Sequence, residues 1–331
     1  MEASLILTYR CNSKCDMCHT WKYPSKEGEE ISPEVLEKLP GGQYRINLTG
    51  GEPALRKDLI EIVEVLVKKT SRLEISTNGY FTKRLVEVGK RFPQVTFRIS
   101  IEGLPRINDE LRGINNGFDH ALRTALSLLD GGVKDIGFGT VVSDKDAKDL
   151  LSLYQLCSHM GIEFATSTMH NSFYFHKHDN RIENLGFVEE KMIEFMSGLL
   201  RSSRNNIKLR IKDWGRAFIN LGLLRYMKGE SRPLPCGAGR DLFFLDPYGN
   251  VLACNGSEDP WVLGNLREKE FSQIWQSEQA EMIRNKVNQC KRNCWMVGTA
   301  VPAMRRSPWI PLFWIMKNKI RLARGLEICL T

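Results

Sequence analysis

Six short runs rich in β-branched and aromatic residues recur between residues 3 and 168, each followed by a longer stretch with helical spacing. The runs are "ASLILTY" (3–9), "YRINLT" (44–49), "RLEIST" (72–77), "VTFRISI" (95–101), "IGFGTVV" (136–142) and "IEFATST" (162–168). Their composition and length suit buried strands. Helical spacing marks 33–39, 57–70, 82–92, 117–130, 146–160 and 187–201, with Ser32 before Pro33 and Asp144 as helix starts. Strands separated by helices lie parallel, because a tight turn joins only antiparallel neighbours. The crossovers are then right-handed. Six units fall two short of a closed eight-stranded barrel. The expected fold class is therefore α/β, a partial (β/α)6 barrel with a small C-terminal β-hairpin and helix unit. The division this implies is a core over 1–205, a linking helix over 206–232, the smaller unit over 233–297 and a basic, aromatic tail over 298–331.

Such folds collect ligands at the carboxyl ends of their strands, and the polar residues of this chain gather there. Directly after the first strand, "RCNSKCDMCHTW" (10–21) places Cys11, Cys15 and Cys18 in a C-x3-C-x2-C spacing with no fourth cysteine nearby. Either a distant residue completes a metal site, or the site is left open. After the second strand comes "TGGEP" (49–53). Gly50 and Gly51 let the backbone approach a ligand closely, and Glu52 offers an acceptor to a cationic group. "STNG" (76–79) follows the third strand, and the fourth ends in "SIEG" (100–103).

No apolar run reaches the roughly 18 residues of a membrane span, and the N-terminus carries no signal peptide. Nine cysteines in such a chain read as metal ligands and reduced thiols rather than disulfides, which places it in the cytoplasm. The formal charge is +8, yet from Lys291 onward eight Lys or Arg face one acid, Glu327. The near-neutral remainder argues against a basic groove, so no nucleic-acid partner is expected.

The three-cysteine motif with GGEP in its place resembles the radical S-adenosylmethionine (radical SAM) superfamily. "RISIEGLPRINDELRG" (98–113) resembles the fourth-strand segment of its members that carry auxiliary clusters. The resemblance implies a [4Fe–4S] cluster on Cys11, Cys15 and Cys18, whose fourth iron takes the amino and carboxylate groups of SAM. The missing fourth cysteine is then the functional feature. It also implies Met17 against the adenine, the Gly50, Gly51, Glu52 and Pro53 loop at the methionyl amino group, and Ser100 and Arg112 at the carboxylate. A guanidinium fork fits two carboxylate oxygens. Asn78 and Glu102 are candidates for ribose or methionine contacts. Asn78 reads equally as a turn residue before Gly79, and Arg112 as a surface residue at a helix end. A zinc site is the competing reading of the thiols.

Four more cysteines, Cys236, Cys254, Cys290 and Cys294, flank a hairpin over "CGAGRDLFFLDPYGNVLAC" (236–254) and close a turn and helix over 263–287. From spacing alone a four-cysteine zinc module is as good a reading. The pattern resembles the twitch domain, a shortened SPASM domain, which implies one auxiliary [4Fe–4S] cluster with all four ligands supplied. Cys157 reads as a small core residue; Cys329 has no evident place. In "TMHNSFYFHKHDN" (168–180), His170 and Tyr174 are candidate substrate contacts, and His176 with His178 form either a metal pair or, better, a solvated loop. No residue is given a catalytic role. The tail, "MRRSPWIPLFWIMKNKIRLARG" (304–325), reads as a packed helix, with contact to a membrane surface or a lipid-linked anionic substrate as an alternative.

The function expected from the resemblance is reductive cleavage of SAM by an electron from a flavodoxin- or ferredoxin-type partner, followed by hydrogen abstraction. Net dehydrogenation of a sugar- or aminocyclitol-type substrate leads, with the auxiliary cluster accepting an electron. Modification of a ribosomal peptide is the alternative. Against it stands a first strand so near the N-terminus that no leader-binding domain precedes it. A non-enzymatic zinc scaffold or nucleic-acid binder would leave GGEP and the alternating pattern without a use.

Overall fold

A computed structural model describes all 331 residues. The strands are β1 (Glu2–Ile6), β2 (Arg45–Thr49), β3 (Leu73–Thr77), β4 (Thr96–Ser100), β5 (Ile136–Val142) and β6 (Glu163–Thr168), each pair of neighbours parallel. Between them run α1 (Pro33–Leu36), α2 (Leu59–Leu66), α3 (Thr82–Arg91), α4 (Pro105–Arg112), α5 (Gly117–Asp130) and α6 (Leu150–His159). Then follow α7 (Leu185–Leu200), α8 (Ile207–Met227), β7 (Leu242–Leu245), β8 (Asn250–Leu252), β9 (Val262–Asn265), α9 (Phe271–Trp275), α10 (Glu278–Asn288), α11 (Val297–Arg306) and α12 (Trp309–Ala323). The sheet is open, in the order β6-β5-β4-β3-β2-β1-β7-β8-β9. No helix is long and apolar enough to cross a membrane.

The C-terminal hairpin differs from expectation in one respect: it continues the barrel sheet. β7 pairs parallel with β1, Glu2 opposite Leu242 and Ser4 opposite Phe244, and β8 and β9 add antiparallel. An open barrel leaves β1 with a row of unpaired amides and carbonyls, which β7, buried along its whole length, takes up. β9 was hidden in the stretch read as a turn, since "VLGN" is short and ends in Gly and Asn. α4 was also unforeseen, although Pro105 at its first position and left-handed Gly113 (φ 56°) just past its end mark it.

Strand register puts polar residues on the concave face. Ser4 lies opposite Asn47, Asn47 opposite Glu74, Ser76 opposite Arg98 and Ser100 opposite Gly139. The alternate positions, Leu5, Ile46, Leu48, Ile75, Phe97, Ile99 and Phe138, belong to the buried apolar core. At the amino ends of the strands the concave face carries an ion-pair floor. Arg45 pairs with Glu2 (3.1 Å) and Glu74 (3.2 Å), and Glu163 is held by Arg98, Arg216 and Lys212. Burial works against the Glu163 carboxylate, but these three cations hold it well below the usual range. Removing one member would leave the remaining buried charges less well compensated. Arg98→Met is therefore expected to cost about 3–5 kcal/mol, read as a fall in the melting midpoint of the purified protein; an unchanged midpoint would make the floor dispensable.

Candidate active site

The loop between β1 and α1 is held from below and from both sides. The amides of Lys14 and Asp16 donate to the carbonyls of Arg112 (3.1 Å) and Leu111 (2.9 Å) at the end of α4. Gly113 lies so close that a Cβ there would stand 2.5 Å from the Lys14 carbonyl oxygen. The Asn78 carboxamide donates to Asn12 Oδ1 (2.7 Å) and Ser13 Oγ (3.0 Å) and accepts from the Tyr80 amide (3.0 Å). Asn78 is thus a turn residue that also ties down the cysteine loop and borders the cavity. His19 N donates to the Phe175 carbonyl (2.8 Å), joining the loop to the segment after β6.

These ties bring Cys11, Cys15 and Cys18 to the wall of one cavity of about 400 Å³, which Met17, Gly50, Gly51, Asn78, Ser100, Glu102 and Arg112 also line, with His170 and Tyr174 beyond. Burial pushes the Cys11 thiol up to about 12, and those of Cys15 and Cys18 upward as well. Bound metal is what converts such thiols to thiolates. Across the whole chain, no three His, Cys, Asp or Glu side chains converge as they would on a single metal ion.

Two of the expected contacts lie elsewhere. Glu52 and Pro53 do not line the cavity. The Glu52 carboxyl is fully buried and accepts from Ala54 N (3.0 Å), Asn78 N (2.7 Å) and Thr77 Oγ1 (2.7 Å), so it latches the loop after β2 to the loop after β3. Three internal donors therefore take most of its acceptor capacity. The glycines before it are required by contact with the chain itself. Gly50 has φ +132°, and a Cβ on Gly51 would stand 2.1 Å from the Arg10 carbonyl oxygen.

Arg112 is not a surface residue. Its side chain is 12% exposed, Nη1 donates to Glu102 Oε1 (3.1 Å), and Nε is buried with no partner. Burial opposes its charge, while the neighbouring Cys15 and Glu102 favour it. Glu102 is fixed in turn by the Val141 amide (2.6 Å) and Thr140 Oγ1 (2.9 Å), and burial raises its pKa. A fixed guanidinium with an unused donor beside three thiols is a ready site for a carboxylate.

His170 Nδ1 faces the Thr168 carbonyl (3.3 Å) and its Nε2 is buried without a partner. Burial lowers its pKa to about 4, so the ring is neutral near pH 7; with the proton assigned to Nδ1, Nε2 is an acceptor. Tyr174 is buried against Ile6 and Tyr9, and burial keeps it a phenol. His176 stacks near Tyr23 (ring centroids 4.4 Å apart). Cys157 is a core residue, as its sequence position suggested. Cys329 follows α12 and does not line the cavity, so it is no hydrogen donor to a substrate there.

Sequence reasoning missed the cavity's other wall. Asn255, Met296, Val297, Gly298 and Thr299 line it. These residues adjoin Cys254 and Cys294, so the second thiol set borders the chamber whose far wall carries the first. Their adjacency to the late cysteines was the available signal. Cys236 and Cys294 both lie near Cys254, whose thiol burial pushes up to about 12. Gly256 is wedged between two of them, a Cβ there standing 3.7 Å from Cys294 Sγ and 3.8 Å from Cys254 Sγ. Cys290 is exposed. Trp295 anchors the set, fully buried with Nε1 donating to the Ile219 carbonyl of α8 (3.0 Å). A Cβ on Gly222 would stand 2.1 Å from that nitrogen. Gly222→Ala should therefore cost about 1–3 kcal/mol or more by overpacking and displace Cys294. A lowered melting midpoint together with reduced iron content checks this; unchanged iron would detach Trp295 from the site.

Residues 5–157 match the radical SAM superfamily and residues 236–295 match SPASM, an iron–sulfur cluster-binding domain. The chain is 31% identical over 158 residues to Fe-coproporphyrin III synthase of Methanosarcina barkeri, covering 45% of this chain and 39% of that one. It is 25% identical over 285 residues to mycofactocin maturase MftC of Mycobacterium tuberculosis, covering 82% and 69%. Among solved structures, anSMEcpe with bound AdoMet and Cp18Cys peptide superimposes with a TM-score of 0.61 at 16% identity, covering 98% of this chain and 99% of that one, a likeness of fold.

Proposed function

From the premise that this chain carries a radical SAM domain followed by a C-terminal SPASM iron–sulfur cluster-binding domain, we propose that it is a SAM-cleaving enzyme that modifies a peptide. The observation carrying the first half is the convergence of Cys11, Cys15, Cys18 and the half-used Arg112 guanidinium on one cavity at the strand ends. Cys11, Cys15 and Cys18 would hold a [4Fe–4S] cluster, and Cys236, Cys254, Cys290 and Cys294 an auxiliary one. Cluster and SAM together supply, on one-electron reduction, a 5′-deoxyadenosyl radical able to take a hydrogen atom from a substrate.

The chain's own residues then position and exclude. Arg112, oriented by Glu102, offers two donors to the methionyl carboxylate, with Ser100 beside it. Gly50 and Gly51 line the cavity where the amino group would lie, and Met17 would pack against the adenine. His170 presents a neutral acceptor, and Tyr174 with Tyr9 and Phe175 screens the chamber from water. The electron comes from a flavodoxin- or ferredoxin-type donor.

The peptide half rests on the comparisons. A maturase aligns with 82% of this chain, and anSMEcpe of like fold was solved with a peptide. These favour peptide modification over dehydrogenation of a sugar or aminocyclitol. The test is anaerobic incubation of the reconstituted enzyme with SAM, dithionite and the short peptides encoded beside its gene. A mass change in one peptide, with 5′-deoxyadenosine formed, is expected. Stimulation of 5′-deoxyadenosine formation by a polar small molecule, and by none of the peptides, would reverse the choice.

Arg112 gives a sharper check on the SAM site. Arg112→Ala should weaken SAM binding by about 1.5–3 kcal/mol, the worth of a charge-assisted contact, with iron content unchanged. Arg112→Lys should recover only part of it, because the fork is lost. Unaltered affinity in the alanine variant would take Arg112 out of the SAM site.

A further inference from the structure

We propose that the outer face of α12 is a docking surface for an anionic lipid bilayer. Trp309, Phe313, Met316 and Ile320 recur at helical spacing along it and are 76%, 72%, 56% and 53% exposed, with Leu312 beside them at 45%. The opposite face, Pro311, Trp314, Ile315 and Asn318, is buried, with the helix laid against α7 and α8. α12 is thus a helix already docked on its inner side whose solvent side is nonetheless its large apolar one. A helix of a water-facing surface carries polar residues there.

The charges beside that stripe identify its occupant. Lys317, Arg321 and Arg324 run along one flank and Lys319 along the other, and α12 has no acidic residue. Arg321 donates to the main-chain carbonyl of Glu327, which leaves its positive charge unneutralised, whereas Lys319 turns inward onto the Leu200 carbonyl and the Trp214 ring. Arg324 is exposed. An apolar stripe bordered by lysine and arginine, with tryptophan and phenylalanine at one end, matches a bilayer interface, where acyl chains take the stripe and anionic headgroups the cations. A second copy of this chain suits it poorly, since it would bring the exposed Arg324 and the unpaired Arg321 of two copies together at an edge where α12 itself supplies no acidic residue. At 15 residues the helix is about 22 Å long, enough to lie along the surface. It contributes nothing to the cavity wall, so docking leaves the chamber free.

The experiment is flotation of the reconstituted holoenzyme with vesicles of phosphatidylcholine alone or of two parts phosphatidylcholine to one part phosphatidylglycerol. The protein should float with the anionic vesicles at least about tenfold better than with the neutral ones, and added salt should reduce the difference. Trp309→Ser combined with Phe313→Ser should lose that binding, with unchanged melting midpoint and unchanged SAM cleavage. Arg321→Glu with Arg324→Glu should abolish the preference for anionic vesicles. Failure of the parent protein to float at low salt, or flotation unaffected by the serine pair, would overturn the proposal. So would a dimer in sedimentation velocity that Phe313→Ser dissociates, because the face would then belong to a second copy.

Discussion

Cys15→Ala should abolish SAM cleavage while leaving the auxiliary cluster in place. The Cys15 thiol lies next to Arg112, the proposed carboxylate site. With one of three thiolates gone, the remaining two cannot hold a cubane at an open-iron position. Iron per chain should fall from about eight atoms to about four, since Cys236, Cys254 and Cys294 belong to a different part of the sheet. The fold should survive, because the loop is tied by main-chain bonds from Lys14 and Asp16 and not by the thiol. Undiminished 5′-deoxyadenosine from this variant, with dithionite as reductant, would remove the three-cysteine loop from the chemistry.

The second large effect belongs to Cys294. Cys294→Ala should again lower iron to about four atoms, but here SAM cleavage should continue and substrate conversion fail. Cys294 lies near Cys254, which Cys236 also approaches, and is followed by the anchored Trp295 and by Met296, which lines the chamber. A cluster at this place would lie beside residues that line the chamber, where it could accept an electron from a substrate radical. Single turnovers comparing 5′-deoxyadenosine with product separate the roles. Normal oxidised product from a variant holding one cluster would make the second site structural, and redox-neutral chemistry would then lead.

The βα alternation was legible because each strand is a compact β-branched run and each helix keeps its period; five of the six parallel strands fall within the stretches read from sequence, and β1 overlaps its own but begins one residue earlier, at Glu2. The thiols of the first site were equally legible, since their spacing is local. Long-range pairing was not. Nothing in "LFFL" announces that β7 joins β1, because strand partnership is set by which edge the barrel leaves open. The polar concave face could have been read from the strict alternation in "RINLT" and "FRIS", where Arg45, Asn47, Thr49, Arg98 and Ser100 share one side.

Glu52 shows a different limit. A carboxylate beside two glycines at a strand end has the signature of a ligand contact, yet here three internal donors satisfy it. Whether a polar group faces a ligand or its own backbone depends on where neighbouring loops fall. The same holds for Arg112, whose burial came from Glu102 and the cysteine loop closing over it. Met296 and Asn255 were invisible as cavity residues because only the folded sheet brings the SPASM segment against the strand ends.

The central claim is that Cys11, Cys15 and Cys18 hold a cluster with one iron left open to SAM. It is tested most directly by the electron paramagnetic resonance spectrum of the anaerobically reconstituted, dithionite-reduced protein, recorded with and without SAM. One of its two cluster signals should change on adding SAM, and that signal should be missing from Cys15→Ala and present in Cys294→Ala. A spectrum in which every signal ignores SAM would contradict the account.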